Sequence, residues 1–166
     1  MAISEREPHE PPAPAPEEVP AQFSRFLKRW FPRLNAKTMA FTSRRTFTYN
    51  CFAYAARDYS RIWDPRPNAN AWWPEGVAND ETVDAFTAAY ARHGFEVCDG
   101  DAVEAGFEKI ALYSVRGAVK HAARQMPSGK WRSKIGPEYE DIEHETPGEL
   151  ESELYGRLTL FLKRKL

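Results

Sequence analysis

The spacing of apolar positions changes along the chain, dividing it into a mainly helical first half and a mainly stranded second half. Phe23, Phe26, Leu27, Trp30 and Phe31 recur at the interval of one helix face, and Pro32 ends that run. An amphipathic helix packed on the domain is expected there. After the polar stretch FTSRRTFTYN, the small residues among Cys51-Phe52-Ala53-Tyr54-Ala55-Ala56 suit a closely packed helix. Asn50 is its expected N-cap, since its side chain can accept one of the unpaired amide protons of the first turn. Residues 63–74, rich in Pro, Asn and Trp, read as an irregular loop, and a helix over 81–93 with Val83, Phe86, Ala89 and Tyr90 inward is closed by Gly94. Strands are expected over 95–97, 109–115 and 118–126, and Pro127-Ser128-Gly129 turns the last of these into a hairpin with 130–135. Thr146-Pro147-Gly148-Glu149 predicts a capping box opening a short helix to about residue 154, which Gly156 breaks. Leu158, Leu160 and Leu162 alternate through a final strand over 157–162. The pattern predicts an α+β fold: helices from the first half on a small, mainly antiparallel sheet built from the second.

At 166 residues and 42% hydrophobic, the chain fills one sizeable core but not two, so one globular domain over 22–166 is expected. Residues 1–21 are dominated by Pro and Glu and have too little apolar surface to offset the entropy of ordering, which predicts a disordered tail. No secretory signal and no apolar run of roughly 18 residues is present, so a cytoplasmic protein without a membrane partner is expected. The two cysteines are not spaced as CxxC and cannot form a disulfide framework. A net charge of −1 gives no overall attraction to nucleic acid. Arg116, Lys120, Arg124, Lys130, Arg132 and Lys134 do cluster around Trp131, the interleaving that single-stranded nucleic acid binding uses. Strand alternation sets Lys120 and Arg124 on one face, however, so these cations read better as the solvated side of a hairpin.

Cys51 and His121 are the candidates for chemistry. A free thiol with a pKa of about 8.5 is mostly protonated near neutrality, so a working cysteine needs a neighbour that removes its proton or stabilises its anion. Cys51 sits at an expected helix start, and His121 lies on a strand that can run beside it. In the expected hairpin Ser133 falls diagonally across from His121, where a polar group can hold the imidazole in one tautomer. Asn50, or the amide of Cys51 itself, is an expected oxyanion donor, and Gln125, Trp73 and Lys134 are further candidate substrate contacts. A cysteine flanked by Phe52 and Ala53 fits a packed core position equally, and the residues alone leave both readings open.

TYNCFAYAARD, the WWP at Trp72–Pro74, EKIALY, KHAARQMPSGKWRSKIG, DIEH and YGRL together resemble an uncharacterised domain family of bacteria and fungi, from about Trp30 to the end. The order of cysteine on a helix start, histidine on a strand and a polar residue on the next strand is similar to papain-like hydrolases of the NlpC and CHAP type. That resemblance implies a papain-like fold and a thiol protease-like peptidase or amidase, with Cys51 as nucleophile, His121 as base and Ser133 as third group. It also implies that no cofactor is needed. The departure is at Ser133, where those hydrolases more often carry His, Glu, Asn or Asp.

Other constellations carry less. Asp141-Ile142-Glu143-His144-Glu145 has metal-ligand residue types without metal-ligand spacing and reads as a solvated acidic loop, with His144 a secondary partner for the imidazole. Trp72 and Trp73 form either an aromatic wall or a lid over the core, and Cys98 is expected to have no role. The leading expectation is a cysteine hydrolase or acyl-transfer domain acting on an amide or ester. The alternative is a non-catalytic module that binds a protein or nucleic acid.

Overall fold

The computed structural model describes residues 7–166; the first six residues of the expected tail lie outside the described residues. In chain order the elements are α1 (Ala21–Trp30), β1 (Ala40–Ser43), α2 (Cys51–Ala55), α3 (Val83–Ala91), β2 (Glu96–Cys98), β3 (Phe107–Val115), β4 (Ala118–Gln125), β5 (Trp131–Lys134), β6 (Asp141–His144) and β7 (Arg157–Lys165). Short 3-10 turns cover Pro16–Glu18 and Pro147–Leu150. The fold is α+β, with few helices on an open sheet of order β1-β6-β5-β4-β3-β7-β2 in which every pairing is antiparallel.

The hairpin of β3 and β4 lies at the middle of this sheet. Arg116 and Gly117 join the two strands with φ of 50° and 82°, the doubly left-handed loop whose twist suits a two-residue hairpin. Pairing then runs from Val115 opposite Ala118 to Ile110 opposite Arg124. Alternate residues of β3 serve different cores. Ile110 and Leu112 face a cluster with Ala53, Tyr54, Trp63, Phe86 and Tyr90 under α2 and α3. Ala111 and Tyr113 face a second cluster with Phe23, Leu27, Phe31, Trp131 and Ile142 under α1. Burial on both faces is why the central run Ile110–Tyr113 is apolar throughout instead of alternating.

Three expectations are corrected. From Glu7 onward the Pro/Glu-rich segment lies against the body: the Tyr54 hydroxyl donates to Glu10 (3.0 Å) and the Arg44 amide to the Pro12 carbonyl (2.9 Å). Composition argued against apolar burial there, but this segment is held by hydrogen bonds and charge. The DIEH segment, expected as a solvated loop, is strand β6 between β1 and β5, with Asp141, Ile142 and His144 fully buried. The capping box does not form, because the Thr146 side chain makes no cap bond and the segment closes as a 3-10 turn, whose Pro147 carbonyl accepts from the Tyr113 hydroxyl (2.6 Å).

Gly156 has φ of 79°, and a Cβ there would overlap the Ser114 carbonyl group of β3. Gly156→Ala is therefore expected to destabilise by more than about 2 kcal/mol. Gly117 has a similar φ of 82° but nothing within 4 Å of its Cβ position, so Gly117→Ala carries the conformational cost alone, about 1 kcal/mol. Urea unfolding of the two variants checks the difference.

Candidate functional site

The site begins where two strands part. Along β4 and β5 the ladder holds only Arg124 opposite Arg132 and Gln125 opposite Trp131. The Met126 amide donates to the Lys130 carbonyl (2.7 Å) at the hairpin end, so by strand alternation Arg124 and then Ala122 turn the same backbone edge towards β5. Ala122 has no β5 partner. Helix α2 packs against both strands, and the backbone of Ala122 lies near enough to the thiol of Cys51, the first residue of that helix, to favour its anion.

Asn50 positions that thiol. Its Oδ1 accepts from the Ala53 amide (3.2 Å) and the Trp63 amide (3.1 Å), and its Nδ2 donates to the Trp63 carbonyl (2.7 Å). The N-cap forms as the sequence predicts. It also ties the carboxamide oxygen and one of its two N–H protons into structure, so Asn50 serves first as a cap.

Cys51 is half-buried, and burial pushes its thiol up to about 11. Hydrogen bonding by the Ala122 backbone, the charge of Lys134 and the backbone of Phe52 and of Cys51 itself act in the opposite direction. A helix of five residues has little macrodipole to add. Desolvation wins, and the resting group is a thiol.

His121 precedes Ala122 on β4 and is fully buried. It pairs opposite Tyr113 on the α1 side, and its ring stacks on Tyr155 with centroids 4.1 Å apart and planes 1° from parallel. Neither ring nitrogen has a hydrogen-bond partner, so thiol and imidazole belong to neighbouring positions without a bond between them. Burial first, and His144 second, hold the His121 pKa well below its ordinary value, which leaves a neutral imidazole. Burial raises the hydroxyl of Tyr155, which lies on that ring, well above its ordinary value.

The structure pairs Ser133 differently from the expectation. Its Oγ lies 2.9 Å from His144 Nε2, and His144 Nδ1 lies 2.9 Å from the Thr146 carbonyl. A carbonyl only accepts, so Nδ1 carries the proton and Nε2 accepts from the Ser133 hydroxyl. Ser133 thus orients His144 and makes no bond to His121. Burial lowers His144 to about 4, so it too is neutral. His144 is the group the sequence undervalued; the signal was the alternation of Ile142 and His144 within DIEH, one face of a strand.

Lys134 is fully buried, and its Nζ donates to the carbonyls of Gly136 (3.0 Å) and Tyr139 (3.3 Å) and lies 3.6 Å from Asp141 Oδ1. Asp141 in turn accepts from Ser43 Oγ (2.5 Å) and the Tyr49 hydroxyl (3.1 Å). Desolvation raises Asp141 to about 6 and lowers Lys134. Lys134 is a fixed cation behind Cys51, too enclosed to be the expected substrate contact. Gln125 donates to the Asp101 carbonyl (2.5 Å) at the far end of β4, about 10 Å along the strand from Ala122. That separation removes it from the site. Trp73 donates its indole N–H to the Ala78 carbonyl (3.1 Å) and packs 5.0 Å from Phe86, as a loop lid on the α2 and α3 cluster. Cys98 lies half-buried on edge strand β2.

Among the described residues no group of three His, Cys, Asp or Glu side chains is placed to hold a metal ion, and no helix is long and apolar enough to cross a membrane. No curated protein and no solved structure matches the chain. Residues 40–163 match the sequence model of one family, a span that runs from β1 through most of β7 and includes Cys51, His121, Ser133, Lys134, Asp141 and His144. The match covers most of the chain, which therefore belongs to the family described as a domain of unknown function, DUF7689.

Proposed function

We propose that this domain is a cysteine hydrolase or acyl-transfer domain, in which Cys51 attacks an amide or ester carbonyl and His121 takes the thiol proton. The supporting observation is the seat of the thiol in the gap between β4 and β5, against the backbone of the residue next to His121. A buried imidazole kept only for packing is expected to satisfy its nitrogens, because leaving one unpaired costs about 1–3 kcal/mol. His121 is fully buried and satisfies neither, as befits a base whose proton donor engages only when substrate binds.

A thiol raised to about 11 beside an imidazole held low describes a neutral pair, not a stored thiolate and imidazolium. The thiol proton passes to a His121 nitrogen as the sulfur–carbon bond forms and the carbonyl π pair moves onto oxygen. Collapse of that adduct expels the amine or alkoxide, which takes the proton from His121 and leaves a thioester on Cys51. Water then attacks the thioester with His121 again as base, releasing the acid and the thiol; an acceptor amine in place of water makes the step a transfer. The backbone of Cys51 and Phe52 and the charge of Lys134 favour negative charge at this spot. The order of nucleophile, base and third polar group along the chain is similar to papain-like NlpC and CHAP hydrolases. This chain departs from that order at the third position, since Ser133 bonds His144 and His121 has no orienting partner.

Two outcomes are expected. In a Cys98→Ser background, an activated ester should acylate Cys51 of the folded protein as seen by intact mass, and His121→Ala should slow acylation by about 10²–10⁴ with unchanged circular dichroism. Labelling of Cys51 only after unfolding would make it a packing residue and the domain a binding module. Because His121 is held below 6.5, its basic form persists as pH falls, so the acylation rate should stay level as pH is lowered through 6.5. A rate that halves there would report an exposed, ordinary imidazole and contradict the buried base.

A further inference from the structure

We infer that the segment from Glu7 to Pro12 is an internal ligand, and that the groove it fills is a docking site for an acidic peptide bearing two glutamates three residues apart. The groove lies beyond the C-terminal end of α2, away from Cys51. Its cations are Arg57, Arg124 and Arg164, and the body supplies one carboxylate to them, Glu108, which pairs with both Arg57 and Arg164. Arg124 is only 5% exposed, and its side-chain partner from the body is the neutral Tyr59 hydroxyl (2.6 Å), with the Tyr54 ring 5.7 Å away. The remaining negative charge comes from the N-terminal segment. Glu7 Oε1 lies 3.4 Å from Arg57 Nη1 and 3.5 Å from Arg124 Nη2, and Glu10 Oε1 accepts from the Tyr54 hydroxyl. Both carboxylates help keep the Arg124 cation charged against its burial.

A buried guanidinium needs an anionic occupant, and the body on its own leaves that place to be filled. The occupant present is lightly held. The Glu7 contacts are at long ion-pair distance, its side chain is 28% exposed, and pairs of that kind contribute little. Glu7 and Arg57 line two cavities, of about 770 Å³ and 430 Å³, so the segment stands between two open stretches of one trough. Glu7 and Glu10 stand at the two ends of a β-turn, with the Glu10 amide donating to the Glu7 carbonyl (3.2 Å) and His9 at φ of 72°, so that one carboxylate reaches the paired arginines and the other the Tyr54 hydroxyl, which gives the groove a spacing to read as well as a charge. A partner presenting the same Glu-x-x-Glu spacing makes the same contacts once the internal copy leaves.

The test uses the full chain and a fluorescent peptide with the sequence of residues 7–14, EPHEPPAP. Glu7→Gln/Glu10→Gln weakens the internal copy, so this variant is expected to bind the peptide about tenfold more tightly than the wild type, which competes at the effective concentration of a tethered segment. Adding Arg57→Gln should abolish binding, and added salt should weaken it. In the wild type, excess peptide should raise hydrogen exchange at the Arg44 amide, which donates to the Pro12 carbonyl, a readout that survives if the variant folds poorly. Equal affinity for wild type and variant overturns the proposal, as does equal binding of a peptide with both glutamates changed to glutamine or unchanged exchange at the Arg44 amide.

Discussion

Beyond Arg124 and Arg132 the ladder between β4 and β5 stops, and the backbone edge of Ala122 has to find a partner other than a strand. Cys51 lies near that edge, brought there by a helix too short to be stable without its packing and fixed by an asparagine that caps its first turn and bonds the Trp63 backbone. The gap sets everything near it. A continuous β4–β5 pair would shut α2 out of the sheet plane and separate Cys51 from the face that carries His121. Parting the strands gives the thiol a polar seat within a largely apolar setting, and the raised Cys51 and lowered His121 pKa values are two consequences of that one desolvated place.

The polar layer beneath the gap is bound by the same constraint. Lys134 and Asp141 are opposite charges with no solvent exposure, and each draws on further partners: two carbonyls for the ammonium, two hydroxyls for the carboxylate. Both hydroxyls bond Asp141 Oδ2, which leaves Lys134 as the charge facing Oδ1, and removing one member of such a pair is strongly destabilising. Its partners come from β1, the segment before α2, β5 and β6, so it couples register across three strands to the position of the thiol. Ser133 and His144 do the same on the opposite face, with the hydroxyl and the carbonyl together fixing one tautomer. The two histidines lowered by burial make the fold sensitive to acid, since protonating them in the unfolded chain below about pH 6.5 favours unfolding. Asp141, raised to about 6, acts in the other direction over part of that range.

Strand β4 links the two functional proposals. His121 and Ala122 stand at the gap, whereas Arg124, two residues on, is the cation that the N-terminal segment helps to neutralise. The α2 helix spans the same two places, with Cys51 at its start and Arg57 just past its end, at φ of 61°. An occupant of the arginine groove and a substrate at the thiol would therefore press on the two ends of one short helix.

The hydrophobic pattern was sufficient for α1, α3, the hairpins of β3, β4 and β5, and the cap at Asn50, because each depends on contacts a few residues apart. The α+β class and the candidacy of Cys51 and His121 were legible for the same local reason, a helix start and an alternating strand. Three decisions were made only by tertiary structure. Asp141-Ile142-Glu143-His144 looks solvated in sequence, yet it is interior because β1 and β5, from distant parts of the chain, close on both its edges. Ser133 sits diagonal to His121 in a hairpin but bonds His144, because the strands have parted at that point and β6 has come alongside. From Glu7 onward the Pro/Glu-rich segment lacks the apolar surface to hold itself on the body, and it lies there through carboxylates that meet the buried Arg124, the half-exposed Arg57 and the Tyr54 hydroxyl. Local periodicity determines which face of an element is apolar; which buried polar group meets which is a matter of long-range pairing, and no spacing along the chain encodes it.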